Sequence, residues 1–203
     1  MTPQKRLFDL VTVAVMLLWL GPILLVVLVV MLVVDGRPLF YPSERMKAPG
    51  QPFTLWKLRT MTVSTAPETG VSGGDKQSRI TRFGRFLRRT RADELPQLWN
   101  ILRGDISFVG PRPPLREYVE RFPDLYAEVL KSRPGVTGLA TLRYHRTEER
   151  LLATCETPED TDGVYTLRCV PRKAAFDLIY QRNQSLCYDL KLIGQTFSRV
   201  IPK

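Results

Sequence analysis

Residues 10–34 carry no charged side chain and are almost wholly apolar, and no other feature restricts this chain as much. As a straight helix these residues would extend about 37 Å, enough to cross a hydrocarbon core of roughly 30 Å. The segment lacks a short apolar core followed by a small-residue cleavage site, so it does not read as a removed signal peptide. Pro22 stands at its midpoint behind Gly21. Proline removes a helical N–H and clashes with the preceding turn, so a kink at Gly21 and Pro22 is expected. Lys5 and Arg6 precede the segment, and Arg37, Arg45 and Lys47 follow it. Basic flanks favour the cytoplasmic side. A straight span cannot place both there, whereas a helix bent at Pro22 that re-enters the same face can. From hydropathy alone, a kinked spanning anchor is the simpler alternative.

The 203 residues include 30 Lys+Arg against 20 Asp+Glu, a net charge of +10, so acidic partners such as phosphates or anionic lipid are expected. This composition excludes a disordered tail, a polytopic transporter and a simple secreted domain. Cys155, Cys169 and Cys187 are odd in number and show no C-x-x-C pairing, which points to reduced thiols. His145 is the single histidine, and the short paired spacings of a zinc site are missing.

Downstream, residues 36–52 contain four prolines and read as a turn-filled linker along a membrane surface. Residues 53–61 alternate like a strand, with Lys57 and Arg59 sharing one phase. Residues 62–78 have loop composition. Six arginines fall within residues 79–91, where Ile80, Phe83 and Leu87 recur at helical spacing. Leu95, Leu98, Trp99 and Leu102 mark a helical face, with Thr90 as its expected cap, Asp93 three residues on and Gly104 as its end. Asp93 and Glu94 would then lie in a first turn, where backbone N–H groups favour negative charge. The turns GPRPP and RPGVTG could present N–H groups to phosphate or serve as plain turns. Residues 148–163 read as an acidic loop. Residues 176–201 read as an amphipathic helix carrying Leu190, Ile193, Phe197 and Val200.

The run RADELPQLWNILRGDISFVGPRPP resembles the signature of the bacterial sugar transferase family, the monotopic phosphoglycosyl transferases. KRLFD, WKLRTM, RITRFGRFLRRTR, RPGVTG and YDLKLI extend the likeness. Gly21-Pro22 stands where relatives often have Ser-Pro, and Pro114 replaces a usual leucine. After Gly138 the chain runs LATLRYHRTEER, where relatives frequently carry W/A-Q-V-x-G-R.

The resemblance implies transfer of a sugar 1-phosphate from a UDP-sugar to undecaprenyl phosphate, releasing UMP, as the first membrane step of glycoconjugate assembly. It implies a ping-pong reaction in which Asp93 is the nucleophile, and Glu94 assists by managing protons during acceptor attack. It also implies Mg²⁺, with Asp93 among its ligands. Candidate phosphate-binding residues are Arg88, Arg112, Lys57 and Arg59, with Pro111, Gly135, Thr137 and Gly138 in the flanking turns. The expected fold is mixed α/β: residues 1–36 form a re-entrant membrane helix and residues 37–203 a small, largely helical cytosolic domain with interfacial helices. The implied location is the cytoplasmic face of a bacterial inner membrane, with its lipid as a partner; a homodimer is left open. A module that binds nucleic acid through the arginine run would leave the embedded acids unused, so no nucleic-acid partner is expected. An inactive scaffold would share the anchor but release no UMP.

Overall fold

The apolar segment forms most of α1 (Pro3–Val34), which starts with the Thr2 hydroxyl accepting from the Lys5 amide and Pro3 in the first turn. The helix continues unbroken through Pro22. The computed structural model describes residues 1–63, 70–71 and 74–200. Much of the expected loop 62–78 therefore lies outside the described residues, as do Ile201 and the two residues after it. α1 is long and apolar enough to cross a membrane by length and composition.

Both ends of α1 are fastened to the rest of the chain. At the N-terminal end, Lys5 Nζ donates to the Val109 carbonyl at 3.0 Å and the Tyr180 hydroxyl at 3.3 Å, and it pairs with the Asp189 carboxylate. Arg6 donates to the Ile101 and Leu102 carbonyls at 2.6 and 2.7 Å. Asp9 accepts from the Ser107 hydroxyl at 3.1 Å. At the other end, Met31 is buried with Leu58 and Leu87, and the Thr81 hydroxyl donates to Asp35 at 3.1 Å. Between these anchors Leu17, Leu18, Trp19 and Ile23 are exposed. Lys5 is the cation of a buried network, so Lys5→Met should strand the Asp189 charge and cost about 3–5 kcal/mol. Denaturant unfolding of the detergent-solubilised protein measures this; an unchanged midpoint would mean that the network contributes little.

Residues 36–52 are not the expected linker. They supply β1 (Phe40–Ala48), which pairs antiparallel with β2 (Gln51–Leu58) around Pro49 and Gly50. Gly50 takes φ +69°, the left-handed conformation that a Pro-Gly turn requires. Pro42 is tolerated because a two-stranded hairpin leaves each strand an open edge. α2 (Arg82–Thr90) is capped by the Thr81 hydroxyl, which accepts from the Gly84 amide at 2.8 Å. α3 (Gln97–Arg103) ends at Gly104 in the left-handed region, as expected. Its buried face holds Leu98, Asn100 and Ile101, while Trp99 is 56% exposed, so the expected apolar face is rotated. Asn100 pins α3 to β2, donating to the Thr54 carbonyl at 2.7 Å and accepting from the Trp56 amide at 3.1 Å.

β3 (Ser107–Val109) pairs in parallel with β4 (Gly135–Thr137). The connection contains α4 (Arg116–Arg121) and α5 (Pro123–Val129). α6 (Leu139–Ala153) and α7 (Pro158–Val164) absorb most of the expected acidic loop, because Leu142 and Leu152 bury one side of α6 and Thr157 caps α7. A π-helical turn, Tyr165–Cys169, leads into α8 (Val170–Arg182). α9 (Leu186–Val200) follows, so the C-terminal region is two helices rather than one. Leu192 is buried in place of the expected Leu190, which is half-exposed. The largest core joins Tyr118, Val129, Leu152, Tyr165 and Ala174 from α4, α5, α6, the π-turn and α8.

Candidate active site

The two acids sit on a corner between helices. α2 closes at Thr90, whose hydroxyl donates back to the Phe86 and Leu87 carbonyls and therefore does not cap α3 as expected. Arg91 then adopts φ 61° and ψ 15°, the only left-handed non-glycine residue among the described residues. Such a conformation costs of order 1–3 kcal/mol and must be held by its surroundings. Ala92–Glu94 form a 3-10 turn, and Pro96 fixes the entry to α3. Asp93 and Glu94 thus occupy a separate short turn before α3.

Glu94 accepts from Arg112 at 2.9 Å and has Arg91 at 3.7 Å. Burial alone would raise its carboxyl, but Arg112, Lys57 and Arg91 outweigh burial and hold it down at about 2. Asp93 behaves in the opposite way. Its pKa is raised, first by burial and then by the neighbouring Glu94, against Lys57, Arg91 and Arg88. Its Oδ1 is buried and takes no hydrogen bond among the described residues. Adjacent carboxylates therefore have distinct states: Glu94 is fixed as an anion, and Asp93 has an unengaged oxygen.

Basic side chains from several elements surround them. The hairpin register pairs Tyr41 with Lys57 and Arg45 with Phe53, which puts Arg45 and Lys57 on one face. Lys57 is pushed down to about 7 by burial and then by Arg112 and Arg45. Arg45 is pushed down to about 10 by burial and by Arg112. Arg88 donates to the Thr60 hydroxyl at 2.8 Å and lies within electrostatic reach of Asp93. Arg112 thus disfavours the charged forms of both Lys57 and Arg45, the electrostatic cost of gathering cations at one place.

Five of the sequence-derived candidates therefore converge: Asp93, Glu94, Arg88, Arg112 and Lys57. Arg59 points elsewhere, donating to the carbonyls of Asp35, Gly36 and Arg37 and so closing the end of α1. The turn residues are occupied by chain pairing. The Gly135 amide donates to the Pro111 carbonyl at 2.8 Å, and the Gly110 amide to the Thr137 carbonyl at 2.9 Å. The Thr137 hydroxyl pairs with that of Thr196 at 2.9 Å. Gly138 opens α6 against Gly110. Gly21 and Pro22 lie within α1, away from this cluster. Arg45, Arg91 and His145 also border this cluster, and no local motif in the sequence marks them for this site. The Pro49-Gly50 turn flanked by alternating residues signals only the hairpin that carries Arg45.

Among the described residues no three His, Cys, Asp or Glu side chains cluster as a closed metal cage. The orphaned Asp93 oxygen beside the anionic Glu94 suits a hard cation that takes one or two carboxylates and completes its shell with phosphate oxygens and water.

A family profile described as bacterial sugar transferase matches residues 1–203. A Klebsiella pneumoniae UDP-glucose:undecaprenyl-phosphate glucose-1-phosphate transferase is 34% identical over 195 residues, covering 95% of this chain and 39% of that protein. A protein of the same name from Caulobacter vibrioides is 34% identical over 197 residues, 95% of this chain and 68% of its own length. The UDP-galactose-lipid carrier transferase of Erwinia amylovora is 32% identical over 214 residues, with 98% of this chain and 40% of that protein covered. The chain thus spans about two fifths of the Klebsiella and Erwinia proteins and about two thirds of the Caulobacter one.

Proposed function

The chain belongs to the bacterial sugar transferase family, and from that membership we propose that it transfers a sugar 1-phosphate from a UDP-sugar to undecaprenyl phosphate and releases UMP. The observation that carries this reading is the pair of acids inside a ring of cations, Arg45, Lys57, Arg88, Arg91 and Arg112. A diphosphate and a carboxylate repel each other, so this chemistry is mostly positioning and charge compensation.

In the first half-reaction an Asp93 carboxylate oxygen attacks the phosphorus that bears the sugar. The bond from that phosphorus to the bridging oxygen breaks, and UMP leaves with the electron pair. A phosphosugar–aspartyl adduct results. In the second half-reaction an oxygen of undecaprenyl phosphate attacks the same phosphorus and Asp93 regains its carboxylate. No bond to the anomeric carbon breaks, so its configuration is retained. Glu94, held down at about 2, stays ionised at neutral pH. It therefore fits the role of a fixed anion that orients Arg112, rather than the proton handling expected from the resemblance. Asp93 and Glu94 would hold Mg²⁺, which when bound offsets phosphate charge and stabilises the leaving UMP.

The packing of α1 supports re-entry over crossing. Lys5, Arg6 and Asp9 at one end and Met31 and Asp35 at the other bind the same body, an arrangement that favours keeping both ends on one side of a bilayer. UDP-sugars are cytosolic, which supports the cytoplasmic face of the inner membrane as the location of that body.

The test of the reaction is UMP release by the purified protein in nanodiscs, across a panel of UDP-sugars, with and without undecaprenyl phosphate. Silence across the panel from folded protein would remove the reading. Lys57 gives an accompanying pH prediction. Its ammonium is lost as pH rises through about 7, and the charged form is the one that attracts a diphosphate. UDP should therefore bind more weakly from neutral to alkaline pH and take up a proton on binding at pH about 8. Lys57→Arg should flatten both effects. Calorimetry in two buffers of different ionisation heat measures the uptake, and no buffer dependence would exclude Lys57 from the donor site.

A further inference from the structure

His145, the single histidine, lies on α6 against the corner that carries the acids. Its Nε2 is 3.0 Å from Arg91 Nη2 and 3.2 Å from the Glu149 carboxylate. A guanidinium can only donate and a carboxylate only accept, so Nε2 serves one of them at a time: it accepts from Arg91 in the neutral ring with its proton on Nδ1, and donates to Glu149 when Nε2 carries the proton. The same guanidinium reaches Glu94 at 3.7 Å through Nη1. Arg91 is thus held from two sides at the one residue of the corner with strained backbone.

We propose that His145 is a positioning residue for the transfer: by accepting from Arg91 it holds the left-handed corner that presents Asp93 and Glu94 to the donor. This rests on the transferase reading above. The arrangement is also sensitive to protons. Nε2 has a single lone pair; once protonated it can no longer accept from Arg91 and instead donates to Glu149. The charged groups facing His145 are Arg91 from the corner, Arg112 from the segment after β3, and Glu148 and Glu149 from its own helix. Burial keeps the ring below its ordinary pKa, Arg91 and Arg112 add to that and the two glutamates oppose it, so the accepting form is favoured at neutral pH.

Two measurements test this. The first is independent of activity. Because the chain has one histidine, its side-chain nitrogen signals in labelled protein titrate without overlap. Arg91→Gln should move the His145 titration upward; an unmoved curve would show that the contact is absent and overturn the proposal. The second is the UMP burst from donor without acceptor. His145→Ala should slow the burst on the order of tenfold at saturating donor, with donor KM little changed. His145→Gln, whose amide oxygen can accept from Arg91, should restore most of the rate. His145→Ala should add nothing in an Arg91→Gln background, since the two residues act as one unit. As pH falls below the ordinary histidine range, the wild type should lose more rate than His145→Gln, because only the wild type carries an imidazole that gives up its acceptor to a proton. A wild-type burst with His145→Ala equally fast would overturn the positioning role alone. The absence of any wild-type burst would overturn the transferase reading and the proposal with it.

Discussion

Asp93→Asn should abolish the stoichiometric release of UMP that the proposed ping-pong reaction gives without acceptor, and lower turnover by about a thousandfold or more. The substitution nearly preserves volume and removes the negative charge, so the corner between α2 and α3 should keep its shape. An amide is a poor nucleophile towards phosphorus, and the adduct expected by intact mass should not form. The neighbouring acid gives the contrast. Glu94→Gln removes the partner of Arg112, which weakens positioning but leaves the attacking oxygen in place, so a slow burst and a detectable adduct should survive. The two variants therefore separate attack from support. An adduct that persists in Asp93→Asn would assign the nucleophile to another side chain and reduce Asp93 to a metal ligand.

The environments of the two acids explain why this division was only half legible in the sequence. Adjacent acids in a motif already point to chemistry, and the resemblance supplied the order of roles. The sequence placed both acids in the first turn of one helix, where they would be similarly exposed. The fold instead interrupts the helix at Arg91 and turns Glu94 towards Arg112, a residue 18 positions away. No local pattern announces an arginine in the left-handed region, because the conformation is imposed by contacts made from α6 and from Glu94 itself. Arg45 was hidden for a different reason: prolines at 38, 42, 49 and 52 outweighed the alternation between them. A hairpin with two open edges tolerates them where a central strand would not.

The long apolar segment was legible in extent, and its packing was not. The sequence marks a lipid-facing helix and basic flanks on both sides. It does not show that Lys5 enters the core to meet Asp189, or that Arg6 binds the last carbonyls of α3. These are long-range pairings between residues that look like ordinary membrane-flanking charges. Arg59 is the converse case. Its alternation with Lys57 suggested a shared role, but the strand ends at Leu58 and Arg59 turns to the carbonyls at the end of α1.

The glycines of the GPRPP and RPGVTG turns carry the second large effect, through backbone proximity. A Cβ at Gly110 would stand 2.1 Å from the Arg133 carbonyl oxygen, and one at Gly135 would stand 2.2 Å from the Gly110 nitrogen. Both obstacles are backbone held by the β3–β4 pairing, so neither can rotate away as a side chain would. Gly110→Ala should therefore cost about 3 kcal/mol or more, at the upper end for overpacking. Gly163→Ala is the control. That site meets no atom within 4 Å and lies inside α7, so alanine there should be neutral or mildly stabilising. Thermal unfolding in one detergent compares the pair, and equal midpoints would show that the strand crossing can open without cost. The crossing also reaches the site. Pro111 accepts from Gly135 directly before Arg112, the residue that pairs with Glu94. Displacing β3 from β4 moves the origin of that guanidinium, so any folded fraction of Gly110→Ala should lose donor affinity together with stability. Turns that looked like phosphate cradles thus act one step back, by fixing where Arg112 begins.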